Sequence, residues 1–191
     1  EEKIKEKFTK RVVEEFAKLS IGDPSDPKTD IGPLATEQIL KDVERQVKKS
    51  VELGAKIVSG GARKSGKGLP ADEAGYFYPP TVMTNVKKGM PVYDEEVFGP
   101  VLPVISFKTE AEAIKIANDT KYGLGSSIFT KDMKKAKRLI PQIEAGNVYV
   151  NDMVKSDPRA PFGGVKKSGY GRELGAYGIK EFVNIKNVWF A

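Results

Sequence analysis

The chain has no cysteine and no histidine among its 191 residues. These absences remove disulfides, thiolate and imidazole metal ligands, and every nucleophile built on a cysteine–histidine or serine–histidine pair. Chemistry here rests on carboxylates, lysines and hydroxyls, or on a partner segment, and no metal ligand set is expected. Also missing is any window near the roughly 18 uninterrupted apolar residues of a membrane span. The amino terminus EEKIKEK is charged, unlike an apolar secretory segment. With 39% hydrophobic and 30% charged residues, the composition is that of a soluble globular protein, and a cytoplasmic location is the default expectation. Tryptophan is scarce as well. Trp189 stands alone and the other aromatics are not interleaved with basic residues, so the excess of 32 basic over 26 acidic side chains is not read as a nucleic-acid surface.

Apolar periodicity organises what is present. Ile4, Phe8, Val12, Phe16 and Leu19 predict an amphipathic helix from residue 2 to about 19. GDPSDPKTDIGP, with three prolines and three aspartates, ends it. Leu40, Val43, Val47 and Val51 mark a second helix that stops near Gly54. AKIVSGG reads as a short buried strand. YFYPPTVMTNV reads as an extended segment that Pro79-Pro80 would restrict to an edge or a bulge, and VLPVISF as a further strand. Thr109 and Glu112 form a capping box ahead of AEAIKIAND. SSIFT, DMKKAKRLI and GNVYVN then read as strand, helix and strand. Strands alternating with single helices imply a mostly parallel sheet covered on both faces, a three-layer α/β/α fold. Ligands in such folds gather beyond the carboxyl ends of strands, where GNVYVN delivers KSDPRAPFGG. The last residues, EFVNIKNVWFA, read as one more strand whose apolar Val188, Trp189 and Phe190 pair outside the chain. The expectation is one domain over 1–180 with an appended strand at 181–191.

Four stretches carry possible chemistry. YDEEVFGP sets Asp94, Glu95 and Glu96 against Val97, Phe98 and a rigid Gly99-Pro100 corner. At least one carboxylate must therefore lie at the rim of a packed core, where a ligand-binding acid would sit. GARKSGKG nearly matches a phosphate-cradling loop, but Gly68 stands where a hydroxyl is needed, and a basic hairpin loop is the better reading. SGYGRELG has the wrong glycine spacing for a dinucleotide fingerprint; its glycines lead into a short helix starting near Arg172, with Glu173 near the helix dipole's positive end. KSDPRAPFGG is stiffened by Pro158 and Pro161 and presents Ser156, Arg159 and Phe162, with Lys155 and Arg159 able to neutralise an anion.

Taken together, EEVFGPV, NDTKYGLGSSIFT, GNVYVN and PFGGVKKSGYGRELG resemble the carboxyl-terminal part of the aldehyde dehydrogenase superfamily. GDP (22–24), IGPLA (31–35) and YFYPPT (76–81) fall in the same order, and KSDPRAPFGGVKKSGYGREL followed by EFVNIKNVW is closest to succinate-semialdehyde dehydrogenases. The resemblance implies an NAD- or NADP-dependent enzyme acting on a small aldehyde. It gives Glu96 the ribose hydroxyls next to nicotinamide, and Phe98 a place beside the nicotinamide ring. It gives Phe162 a wall of the aldehyde pocket, Ser156 the distal carboxylate of succinate semialdehyde, and Glu173 the part of a buried proton-relay glutamate. Arg159 is added as a substrate contact from charge alone. The final strand would join a dimer or tetramer.

One departure matters most. The family mechanism needs a cysteine thiolate to attack the aldehyde and pass a hydride to nicotinamide, and a glutamate-activated water to cleave the thioester. This chain has no cysteine. It therefore reads as a segment lying just past its nucleophile, expected not to turn over aldehyde by itself. A family member with another aldehyde substrate and a stand-alone basic binding module are the competing readings.

Overall fold

A computed structural model describes residues 1–63 and 75–191, so the Gly66-Lys67-Gly68 part of the phosphate-loop-like stretch lies outside the described residues. Two units, Glu1–Lys108 and Thr109–Ala191, each pack largely within themselves.

In the first unit a 3-10 turn, Glu2–Ile4, leads into α1 (Lys5–Phe16). The helix stops short of Leu19, and its apolar stripe is only partly covered: Val12 and Phe16 are half-buried, Ile4 and Phe8 stay 54% and 48% exposed, and Thr9 is buried. The packed side is turned toward Thr9 and Val13, which share a groove with Val58 and Thr84. α2 (Glu37–Glu52) starts where the Thr36 hydroxyl accepts the Ile39 amide at 3.2 Å and ends before Gly54, whose φ of 103° suits only glycine in comfort. Its inner face supplies Leu40, Val43 and Val47 to a cluster completed by Tyr78, Met83, Val86, Met90 and Val92. Each such buried side chain contributes roughly 1.5–3 kcal/mol.

β1 (Lys56–Ser59), β2 (Thr81–Thr84) and β3 (Val101–Pro103) form a sheet in that order, with α3 (Pro91–Asp94) between the last two. β1 runs antiparallel to β2 with a shift of register between Ile57 and Ser59, and β2 runs parallel to β3 from Thr81 against Val101. Two expectations are corrected. β2 is the central strand, because Pro79-Pro80 ends one residue before the ladder and the Thr81 amide is free to donate to the Pro100 carbonyl at 2.8 Å. β1 is an edge strand whose Ile57 and Val58 are exposed, so the run KIVS is not the buried strand its apolarity suggested.

In the second unit α4 (Glu110–Asn118) is capped as predicted, the Thr109 hydroxyl accepting the Glu112 amide at 3.2 Å. β4 (Tyr122–Gly123) and β5 (Gly125–Ile128) follow. α5 (Met133–Leu139) is capped by Asp132, and a 3-10 turn at Ile140–Gln142 leads to β6 (Asn147–Val150). β7 (Val165–Lys166), α6 (Gly175–Gly178) and a 3-10 turn at Ile179–Phe182 complete the unit. β5 and β6 pair in parallel across a connection that holds α5, as a crossover requires, and β4 and β7 pair antiparallel. The β4–β7 pair is invisible in sequence because two residues carry no period.

The chain is thus a mixed α/β protein. No paired strand forms over 181–191: Phe182 belongs to the last 3-10 turn, and Phe182, Trp189 and Phe190 are 87%, 85% and 88% exposed. Among the described residues no helix is long and apolar enough to cross a membrane.

Candidate functional site

The three carboxylates of YDEEVFGP meet three different fates. Asp94 closes the short helix α3, accepting the Gly89 amide at 2.9 Å. Glu95 follows in extended conformation and turns to α2, where Arg45 Nη2 donates at 2.7 Å and Gln46 Nε2 at 2.9 Å. The hydrogen bond it donates to Glu95 holds the Arg45 guanidinium above its usual pKa. Gln46 is buried, and its amide also donates to the Glu96 carbonyl at 3.0 Å, so one side chain grips two successive residues. The Glu96 carboxylate is exposed and has no partner among the described residues. Val97 packs on the apolar cluster, and Phe98 is 65% exposed. Gly99 lies so close to α2 that a Cβ there would sit 2.9 Å from Val43 Cγ2. Glycine lets the backbone approach, α2 holds Glu95, and the neighbouring acid is left for something else.

In the second unit the loop after β6 uses its own charges. Asn151, at φ 56°, exchanges two hydrogen bonds with Thr130 at 2.8 and 2.9 Å and turns the chain. Lys155 Nζ lies 2.5 Å from Asp152, a bond that holds the acid low and the amine high. Arg159 forks onto Asp157 through Nε at 2.9 Å and Nη2 at 2.6 Å, and its amide donates to the same acid at 2.9 Å. The guanidinium, then the backbone hydrogen bond, lower the Asp157 pKa to about 2. The two cations read as anion-neutralising are therefore each matched by a carboxylate within the loop. Ser156 is exposed between them.

Phe162 and Glu173 stand directly opposite one another, each amide donating to the other's carbonyl at 2.8 Å. Two residues assigned separate roles thus form one antiparallel bridge. The helix anticipated near Arg172 begins at Gly175, because Glu173 is committed to the bridge and Leu174 follows at φ 64°, ψ 169°. Phe162 is half-buried and Glu173 is exposed, unlike the buried acid the resemblance implies. Arg172 Nη1 donates to the Gly164 carbonyl at 2.9 Å, and the buried Asn147 donates to the Gly163 carbonyl at 2.8 Å.

Arg45, Gln46, Asp157, Asn147 and Arg172 escaped the sequence reading. Gln46 left a signal, a polar residue one position from Val47 on the inner face of α2. Chemically, the free Glu96 carboxylate can accept from two vicinal hydroxyls, with the Phe98 ring exposed two residues away. Among the described residues no cluster of acids is placed to hold a metal ion.

Residues 1–188 match the Aldehyde dehydrogenase family, and the chain belongs to that family. Its relatives narrow the comparison. It is 50% identical over 188 residues to succinate-semialdehyde dehydrogenase [NADP(+)] 1 of Mycobacterium tuberculosis strain H37Rv, and 47% identical to a probable succinate-semialdehyde dehydrogenase [NADP(+)] of Synechocystis. Each match covers 98% of this chain and 40% of the relative, so the chain spans about 40% of the length of these curated relatives. It is also similar to the crystal structure of succinic semialdehyde dehydrogenase from Streptococcus pyogenes in complex with NADP+, with a TM-score of 0.90 at 38% identity over 98% of this chain and 40% of that one. Betaine aldehyde dehydrogenase from Staphylococcus aureus in complex with NAD+ gives a TM-score of 0.88 at 39% identity over 94% of this chain and 35% of that one.

Proposed function

We propose that this chain supplies part of an NAD(P)-dependent succinate-semialdehyde dehydrogenase, Glu96 and Phe98 contacting the nicotinamide ribose and ring, and Phe162 lining the aldehyde pocket. The free Glu96 carboxylate carries the reading. Its two neighbours are consumed by the fold, so it is the acid of EEVFGP available to a ligand, and a carboxylate is the acceptor a ribose diol needs. The relatives' names support both the substrate and the cofactor. When bound, the nicotinamide accepts the hydride; this chain's residues orient it and exclude water from it.

The nucleophile has to come from other polypeptide, since this chain contains no cysteine, and the chain alone does not oxidise aldehyde. Ser156 donates to the distal carboxylate of the substrate. Arg159 contributes only by sharing its guanidinium between Asp157 and that carboxylate, because it is already forked onto the acid. Glu173 serves as the proton-relay acid, covered when the remainder of the enzyme is present. In the complete enzyme, residues 1–180 belong to a three-layer α/β/α catalytic domain, and 181–191 add a strand across a homo-oligomer. The enzyme is cytoplasmic.

A second reading, an uncharged aldehyde, draws on the internal pairing of Lys155 and Arg159, which leaves the loop without a free cation. In the complete enzyme, Glu96→Gln is expected to lower kcat/KM about tenfold or more, the loss of one or two charge-assisted hydrogen bonds. Unchanged nucleotide affinity and turnover in that variant removes Glu96 from the site. A preference for succinate semialdehyde over an uncharged aldehyde that survives in Ser156→Ala removes the serine.

A further inference from the structure

We infer that Asn147 is the positioning residue of the Phe162 loop, setting the pocket wall through two hydrogen bonds from one buried amide. This rests on the assignment of Phe162 to the aldehyde pocket. Asn147 opens β6 and is 8% exposed. Its Nδ2 donates to the Leu124 carbonyl and to the Gly163 carbonyl, both at 2.8 Å. Leu124 precedes β5, and Gly163 directly follows Phe162. Both amide protons are therefore spent joining the sheet to the loop.

The fit at this point is close. A Cβ built on Gly146 would lie 1.9 Å from the Gly163 carbonyl oxygen, so the loop rests on bare backbone and Asn147 fixes that same oxygen from the side. Arg172 holds the next carbonyl, of Gly164. The bridge to Glu173 then fixes the Phe162 backbone from its other edge. Three successive residues, Phe162 to Gly164, are thus held from two sides, Gly163 by Asn147 of β6 and its two neighbours by the adjacent Arg172 and Glu173. Of the three anchors, Asn147 alone comes from a strand, and sites built on strands are held more precisely than sites on loops.

Asn147→Asp separates positioning from packing. It keeps size and shape but turns two donors into acceptors facing two carbonyl oxygens at close range. Protonating the new carboxyl restores one donor, so acid should partly rescue the variant where a cavity or shape defect would not recover. In the 191-residue chain, amide exchange at Phe162 and Glu173 is expected to quicken about tenfold or more at pH 7 while α2 amides are unchanged, the effect shrinking as pH falls. In the complete enzyme KM for the aldehyde is expected to rise about fivefold or more, with kcat within about twofold.

Three outcomes decide the matter. If Phe162→Ala leaves KM unchanged, the pocket assignment itself fails. If Phe162→Ala raises KM but Asn147→Asp alters neither exchange nor KM, the positioning role is overturned and the pocket assignment stands. If exchange quickens without a change in KM, Asn147 is structural only, and the inference is again overturned. Should Asn147→Asp not fold, Asn147→Ser, with a single donor, is held to the same criteria.

Discussion

Residues 93–100 and residues 155–175, the two candidate ligand segments, hold their side chains in opposite ways. The first segment lies against an apolar cluster, and α2 reaches over with Arg45 and Gln46 to hold Glu95, leaving Glu96 free by elimination. The second has little apolar support: among the described residues of its unit, Ala136 is the one buried hydrophobic. Its order comes from glycines packed backbone to backbone, an asparagine and an arginine that satisfy carbonyls, and a bridge between Phe162 and Glu173. A core fixes the region around it and tolerates small adjustments, because dispersion contacts are many and individually weak. A hydrogen-bonded glycine scaffold fixes a few atoms closely and fails when any one is displaced.

That contrast predicts where damage is greatest. Gly146→Ala should cost about 3 kcal/mol or more in urea unfolding, since the added carbon meets a backbone carbonyl that has no rotamer to yield. A near-neutral result breaks the contrast, because the second segment would then be as adaptable as the first. Gln46→Ala should cost less, about 2 kcal/mol, with Arg45 still holding the half-buried Glu95. In the same variant the Glu95–Glu96 amides should exchange faster, and unaltered exchange would show that packing alone holds the segment.

The smallest effect belongs to the loop's surface ion pair. Asp157 titrates at about 2 in the folded chain, below its ordinary value. The pair's contribution is therefore fully present above the unfolded pKa near 4 and is lost as pH falls through about 2. NMR titration of the Asp157 carboxyl should follow that midpoint and return toward the ordinary range in Arg159→Ala. A midpoint that stays low without the arginine assigns the shift to the backbone amide instead.

Much of this was legible beforehand. Thr109 caps the helix it precedes, and the apolar period of α2 became the core. Where the reading failed, the cause lay in packing and pairing that periodicity does not encode. The stripe of α1 is amphipathic, but Ile4 and Phe8 remain about half exposed beside Leu102 and Val104. Pro79-Pro80 argued for an edge strand, yet the ladder begins just beyond it. Lys155 and Arg159 looked available until Asp152 and Asp157 folded back on them.

By itself the sequence determined the family and most of the main helices and strands. These depend on capping, periodicity and motif, all decided by residues a few positions apart. Tertiary structure decided which of three adjacent carboxylates stays free, that Phe162 and Glu173 share one bridge, and that Asn147 holds the Gly163 carbonyl next to it. Those choices join residues far apart in the chain, such as Gln46 and Glu95, and only the path of the folded backbone brings their donors and acceptors within 3 Å.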